Sequence, residues 1–214
     1  MTTRPLYLKQ LELGPMQNFV YLLGDPATKE AAVIDPGWEV PTILQAAEQD
    51  GYTITKAILT HSHFDHVMGL GELLKTHDIP VHIHRAEAGA LEIGRSSIQP
   101  VDAGQVLQVG TVPVTLIHTP GHTPGSQCLL VDGRLLSGDT LFIRACGRCD
   151  LPGGDPRELY HSLMHTLRQL DDQTTLYPGH HYAPAPTSTM AQEKQENPFL
   201  QLGSLPEFLR LVGK

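Results

Sequence analysis

Cysteine and tryptophan are scarce in this chain: three cysteines and one tryptophan among 214 residues. Thiols at 128, 146 and 149 cannot all pair, so a disulfide scaffold is excluded and reduced thiols in a cytoplasmic setting are expected. No stretch approaches the ~18–20 uninterrupted apolar residues that span a bilayer, and no membrane partner is expected. The first fourteen residues carry Arg4, Lys9 and Glu12 without an apolar block, so no secretory leader is expected. Positive charge is also short. Fifteen Lys plus Arg against 23 Asp plus Glu give a net charge of −8, with no basic run, which argues against a nucleic-acid-binding surface.

What is present is an ordinary globular balance, 40% hydrophobic and 18% charged. The length exceeds one typical domain of roughly 100–200 residues but falls short of two, and no linker interrupts the chain, so one domain over 1–214 is expected. Histidine is the exception to an unremarkable composition, with twelve copies.

Short apolar runs alternate with Gly, Pro and Asp turns. Strands are expected at 6–13, 18–23, 31–34, 56–60 and 81–84, with helices at 40–50, 69–77 and 86–93 between or after them. Further strands are expected at 105–109, 112–118, 127–131, 135–137 and 174–177. Asp155 and Pro156 form a helix start, as N-cap and first helical residue, for a helix over 156–170. The tail from 190 to 211 reads as helical, broken at Pro198 and Pro206. Two strand-rich halves with helices outside follow from this rhythm.

The densest chemistry lies in Leu59-Thr60-His61-Ser62-His63-Phe64-Asp65-His66, directly after a strand. His61 and His63 are two apart, so on an extended segment they point the same way and can share a metal. Asp65 and His66 follow, where a turn into the next helix can aim them at a second ion. Imidazole and carboxylate together suit zinc, iron or manganese. Three more strand ends each display one ligand type beside a glycine: His122 in Thr119-Pro120-Gly121-His122-Thr123-Pro124-Gly125, Asp139 in Ser137-Gly138-Asp139-Thr140, and His180 in Tyr177-Pro178-Gly179-His180. Cys146 and Cys149 have C-x-x-C spacing, but a zinc ribbon needs a second such pair and none exists, which leaves an incidental or supporting role. His77, His82, His84, His161, His165 and His181 are expected at the surface or satisfied in the core. His118 is expected to brace the His122 loop, and Asp35 to support a ligating histidine.

These motifs, in this order, resemble the metallo-β-lactamase superfamily, and more narrowly its glyoxalase II (hydroxyacylglutathione hydrolase) branch. Asn18–Asp25 and Ala32–Gly37 are similar to that branch's opening strands. The resemblance implies an α/β, four-layer αββα sandwich with metals at the sheet edges. It also implies one ion on His61, His63 and His122, another on Asp65, His66 and His180, and Asp139 bridging them. Two divalent ions, zinc foremost, would then hold a hydroxide that attacks a thioester carbonyl, with Asp65 needed for catalysis. Arg148 and Tyr182 correspond to substrate contacts, and the substrate would be a small molecule, such as a glutathione or other thiol conjugate. That branch's full-length enzymes add a basic C-terminal helical domain, whereas the residues following His181 in this sequence are few and not notably basic, and Asp150 stands where those enzymes have a tyrosine, so a short-form thioesterase is the expectation. Residues 138–150, with Leu159-Tyr160-His161-Ser162-Leu163 after them, also resemble the persulfide dioxygenases of the same fold, which hold one iron through positions matching His61, His122 and Asp139.

Overall fold

The computed structural model describes residues 5–92 and 95–213. Side chains of a strand alternate between its two faces, and that alternation decides the layering. The first four strands are β1 (Tyr7–Leu13), β2 (Asn18–Gly24), β3 (Glu30–Ile34) and β4 (Thr53–Ile58). In β2, Val20 and Leu22 join one core cluster while Phe19, Tyr21 and Leu23 join another. A strand apolar on both faces must be covered on both.

Adding β5 (Val81–His84) and β6 (Ile98–Val101) completes a six-stranded sheet in sequential order, antiparallel over its first two pairings and parallel over its last three. Parallel pairings require crossovers, and the first two are supplied by α1 (Val40–Gln49) and by α2 (Phe64–Val67) with α3 (Leu70–Thr76). Val40, Ile43, Leu70 and Leu73 seal the outer face of this sheet.

The second half contributes β7 (Val106–Val109), β8 (Val112–His118), β9 (Gln127–Val131) and β10 (Arg134–Gly138), then a small hairpin of β11 (Leu141–Phe142) and β12 (Ala145–Cys146). After α4 (Pro156–His161) come β13 (Thr175–Pro178), β14 (Ser188–Thr189), α5 (Met190–Glu196) and α6 (Leu205–Leu211). The second sheet runs β14-β13-β10-β9-β8-β7, with only β10–β13 parallel. Leu136 faces the first sheet while Leu135 joins Leu159, Met190 and Phe208 beneath the outer helices. The expected helix–sheet–sheet–helix layering is therefore observed. Each fully buried Leu or Phe contributes about 1.5–3 kcal/mol through loss of water-exposed area.

Several sequence expectations shift. The helix over 156–170 starts as expected, with Asp155 accepting from the Arg157 and Glu158 amides at 2.8 and 3.3 Å. It then widens into a π-helical segment at Ser162–Thr166 and tightens at Leu167–Gln169. The helix expected over 86–93 is only a short turn at Ala88–Ala90, while Ile93 lies outside the described residues. Strand β6 was not anticipated because it contains Pro100, which an edge strand tolerates. Pro206 opens α6 instead of breaking the tail helix, because a first-turn proline gives up no helical hydrogen bond. Among the described residues, no helix is long and apolar enough to cross a membrane.

Candidate metal centre

The cluster is built at the ends of strands that bring distant segments to one edge of the two sheets. Beyond β4, the backbone of Thr60 donates to Asp35 Oδ1 at 2.7 Å and the Thr60 hydroxyl to Asp35 Oδ2 at 2.6 Å. Asp35 itself sits in the left-handed region at φ 51°, a strained conformation for a residue with a side chain. The chain then enters α2, which swings Asp65 and His66 toward the space faced by His61. His122 rides on a loop closed by the Thr119 amide to Ser126 O at 2.8 Å. Asp139 follows β10 where its register with β13 shifts, and His180 follows β13. Gly179 is required at this join. A β-carbon there would collide with the Asp139 carboxylate and the Gly138 backbone.

All seven residues expected from the sequence converge. Ligand atoms of His61, His63 and His122 lie within 4.8 Å of one another, as do those of Asp65, His66 and His180. Asp139 lies between the groups, with Oδ1 3.4 Å from His66 Nε2 and Oδ2 3.3 and 3.6 Å from His180 Nε2 and His122 Nε2. Asp35, His61 and His66 also fall within that spacing, but Asp35 already accepts from Thr60 and from His66 Nδ1, the latter at 2.9 Å.

Proton bookkeeping shows what the cluster is made to receive. A carbonyl oxygen can only accept, so His122 Nδ1 donates to Arg148 O at 2.6 Å and His180 Nδ1 donates to Met16 O at 2.9 Å. The Nε2 atoms of both rings are thereby turned inward, toward the cluster. His66 Nε2 and His180 Nε2 face each other at 3.3 Å, and His122 Nε2 and Asp139 Oδ1 are buried with no hydrogen-bond partner. Ring N–H groups of His66, His122 and His180 are engaged outward, while their second nitrogens and the Asp65 and Asp139 carboxylates face inward. This nitrogen and oxygen set fits divalent cations, with the outward partners fixing each ring.

The titration behaviour has the same origin. Burial pushes His61 well below the usual imidazole value, and the nearby His66 adds to this. Burial also opposes charge on His66 and His180, yet Asp139 and its neighbouring carboxylates outweigh it, raising His66 well above normal and His180 to about 9. Asp65 is pushed up by burial but held down to about 2 by His180, His66 and Asn18. A protonated His66 or His180 and a dication are alternative ways of balancing the same carboxylates.

The cluster forms the floor of a cleft of about 620 Å³ that both expected contact residues line. The Tyr182 ring stacks on His180, with centroids 4.6 Å apart and planes 10° apart. The Arg148 side chain is already engaged: its Nε and Nη2 reach the two oxygens of Asp150 at 2.9 Å each. Its backbone carbonyl, not its charge, is what touches the cluster. Cys146 lines the cleft half-buried, its thiol pushed up by burial and by Cys149.

Two supporting residues escaped the sequence reading. Asn18 donates to Asp65 Oδ2 at 2.9 Å and accepts from Trp38 Nε1 at 2.9 Å, which fixes which amide atom is which. Glu87 is buried and ties two ligand loops together, accepting from Ser62 and from the Gly125 amide at 2.7 Å. A polar residue opening an apolar strand was the only signal for Asn18, and Glu87 had none. His118 braces its loop as expected, through Nε2 to Pro124 O at 2.9 Å, and stacks on buried His84.

The profile of the Metallo-beta-lactamase superfamily matches residues 13–180. The chain belongs to that superfamily, whose members are hydrolases or related enzymes. Among similar proteins, the probable polyketide biosynthesis zinc-dependent hydrolase BaeB of Bacillus velezensis is 28% identical over 197 residues, covering 92% of this chain and 88% of its own. The human mitochondrial persulfide dioxygenase ETHE1 is 32% identical over 212 residues, covering 98% of this chain and 81% of its own. The crystal structure of ETHE1 from Myxococcus xanthus has a TM-score of 0.88 and 33% identity, covering 96% of this chain and 89% of that one.

Proposed function

We propose that this chain is a two-metal hydrolase of small-molecule thioesters, with zinc the leading ion and iron or manganese also suited to its ligands. The observation carrying this reading is the second group. Asp65, His66 and His180 are all buried, and each has an outward partner, in Asn18, Asp35 and Met16 respectively. A one-ion centre has no need of three further ligands held so closely. His61, His63 and His122 would hold one cation, Asp65, His66 and His180 the other, and Asp139 both. Bound there, the pair would supply a nucleophilic hydroxide at neutral pH and charge stabilisation for the acyl oxyanion. The chain's own part is orientation. Asn18 fixes the Asp65 carboxylate, Asp35 fixes His66, and the Arg148 carbonyl fixes His122, so little reorganisation remains when a carbonyl enters. Asp65 is the catalytic residue in this reading, as ligand and as part of the cleft floor.

A second reading, oxidation of a persulfide at one iron on His61, His122 and Asp139, draws on the 32% identity to human persulfide dioxygenase ETHE1. Metal analysis with parallel assays in an oxygen electrode separates the two. The hydrolase reading expects about two ions per chain, thioester cleavage without oxygen uptake, and loss of cleavage in Asp65→Ala. One iron, oxygen uptake with a persulfide, and no thioester cleavage would overturn it.

A further inference from the structure

Beyond the metal-holding floor, the cleft has a marked chemical bias. Met16, Phe64, Phe142, Leu151, Pro152 and Tyr182 make its walls. Phe64 and Tyr182 are each 58% exposed, although large aromatic side chains normally hide in a core. Phe64 meets Trp38 in an edge-on ring contact, with centroids 6.4 Å apart, which leaves its other side open to the cleft. Exposed apolar surface rimming a polar floor is the signature of a site that gains by covering with an apolar ligand.

Charge points the same way. Among the described residues lining the cleft, Arg148 is the sole Lys or Arg. Its guanidinium already has a two-pronged carboxylate partner in Asp150, which neutralises it within its own loop. An anionic peptide-like thiol such as glutathione would meet on these walls only a cation whose charge Asp150 already balances, and would have to compete with that carboxylate for it. The chain's net charge of −8 does nothing to offset that.

We propose that the cleft selects thioesters whose acyl group is apolar and whose thiol portion is uncharged, and that glutathione conjugates are poor substrates. This rests on the hydrolase reading for its chemistry. Water attacks the acyl carbon, the C–S bond breaks as a C–O bond forms, and the products are a carboxylate, a proton and a thiol. Phe64 and Leu151 are the specificity residues, covering the acyl chain. Asp150 is a negative determinant that withholds Arg148 from anionic ligands.

Binding and turnover test this separately on the metal-loaded protein. Stable thioethers isolate the cleft from the chemistry: S-hexyl-N-acetylcysteamine should bind at least tenfold more tightly than S-methyl-N-acetylcysteamine, and no more weakly than S-hexylglutathione. Phe64→Ala should erase most of the hexyl advantage with metal content unchanged. Asp150→Asn, by releasing Arg148, should tighten S-hexylglutathione about threefold, the scale of an exposed ion pair, and leave the neutral thioether unmoved. In turnover, hexanoyl-N-acetylcysteamine should exceed S-lactoylglutathione in kcat/KM. Tighter binding of S-hexylglutathione than of its neutral counterpart, or no chain-length dependence, would overturn the proposal whatever the turnover. Selective binding as described with no thioester cleaved would instead overturn the hydrolase reading and leave the selectivity standing.

Discussion

The floor and the walls of the cleft are built by opposite rules. On the floor, most of the ligands are buried and several are held from behind, as Asp35 holds His66, Asn18 holds Asp65 and Met16 O holds His180. On the walls, Phe64 and Tyr182 stand more than half exposed, and Arg148, the one Lys or Arg among the described lining residues, is paired with Asp150. A preorganised floor suits a fixed reaction, because the geometry of charge must be ready before substrate arrives. Open apolar walls suit a range of acyl groups, because hydrophobic contact is non-directional. Under the proposed reading, reaction and selectivity reside in separable parts of one cavity.

That separation can be broken experimentally. The largest effect is expected from Asp139→Asn, which removes charge from the residue between both groups. Metal binding and turnover should each fall by more than about 100-fold, beyond the range seen for supporting partners. His180→Ala should empty mainly one site, and metal titration that found equal single-site losses in the two variants would contradict the bridging role. Next, Asp35→Ala leaves every ligand in place but frees His66 and Thr60. Metal affinity should fall by about 10–100-fold while the thioether preferences of the walls persist. If those preferences vanished as well, floor and walls would not be independent.

The smallest effect concerns a carboxylate remote from both. Asp25 accepts from Thr111 N at 2.7 Å, Ala27 N at 2.8 Å and Thr111 Oγ1 at 2.8 Å, joining the β2–β3 turn to the β7–β8 turn. The Thr111 amide first, then the Ala27 amide and the Thr111 hydroxyl, hold its pKa down to about 2. A depressed carboxylate stabilises the fold fully above its unfolded value of about 4 and loses that contribution as pH falls through its folded value. Thermal melts should therefore show wild type more stable than Asp25→Asn at pH 5, with the gap closing toward pH 2. A gap constant over that range would contradict it, and metal content should be the same in both proteins at neutral pH.

Much of the floor was legible in the sequence because its logic is local. His61, His63, Asp65 and His66 lie within six residues, and His122, Asp139 and His180 each follow a strand beside a glycine. The strands were legible too, since their apolar runs are short and end in Gly, Pro or Asp. Less visible were elements whose pattern is weak in isolation. β6 carries a proline, the β11–β12 hairpin has two residues per strand, and the 156–170 helix changes its winding midway. Glu87 carries no signal in the sequence, and only its approach to Ser62 and Gly125 gives it a role.

Arg148 marks the boundary between the two kinds of knowledge. Sequence position brought it to the cleft, following Asp139, and likeness to a family suggested a substrate contact. The tertiary structure turned its guanidinium to Asp150 and its carbonyl to His122. Residue types and spacing determine which donor atoms are available and along which strand ends they emerge, because side-chain direction follows from local backbone geometry. Which of those atoms are already spent on one another depends on segments far apart in the chain meeting at a few ångströms, and that only the packed fold decides.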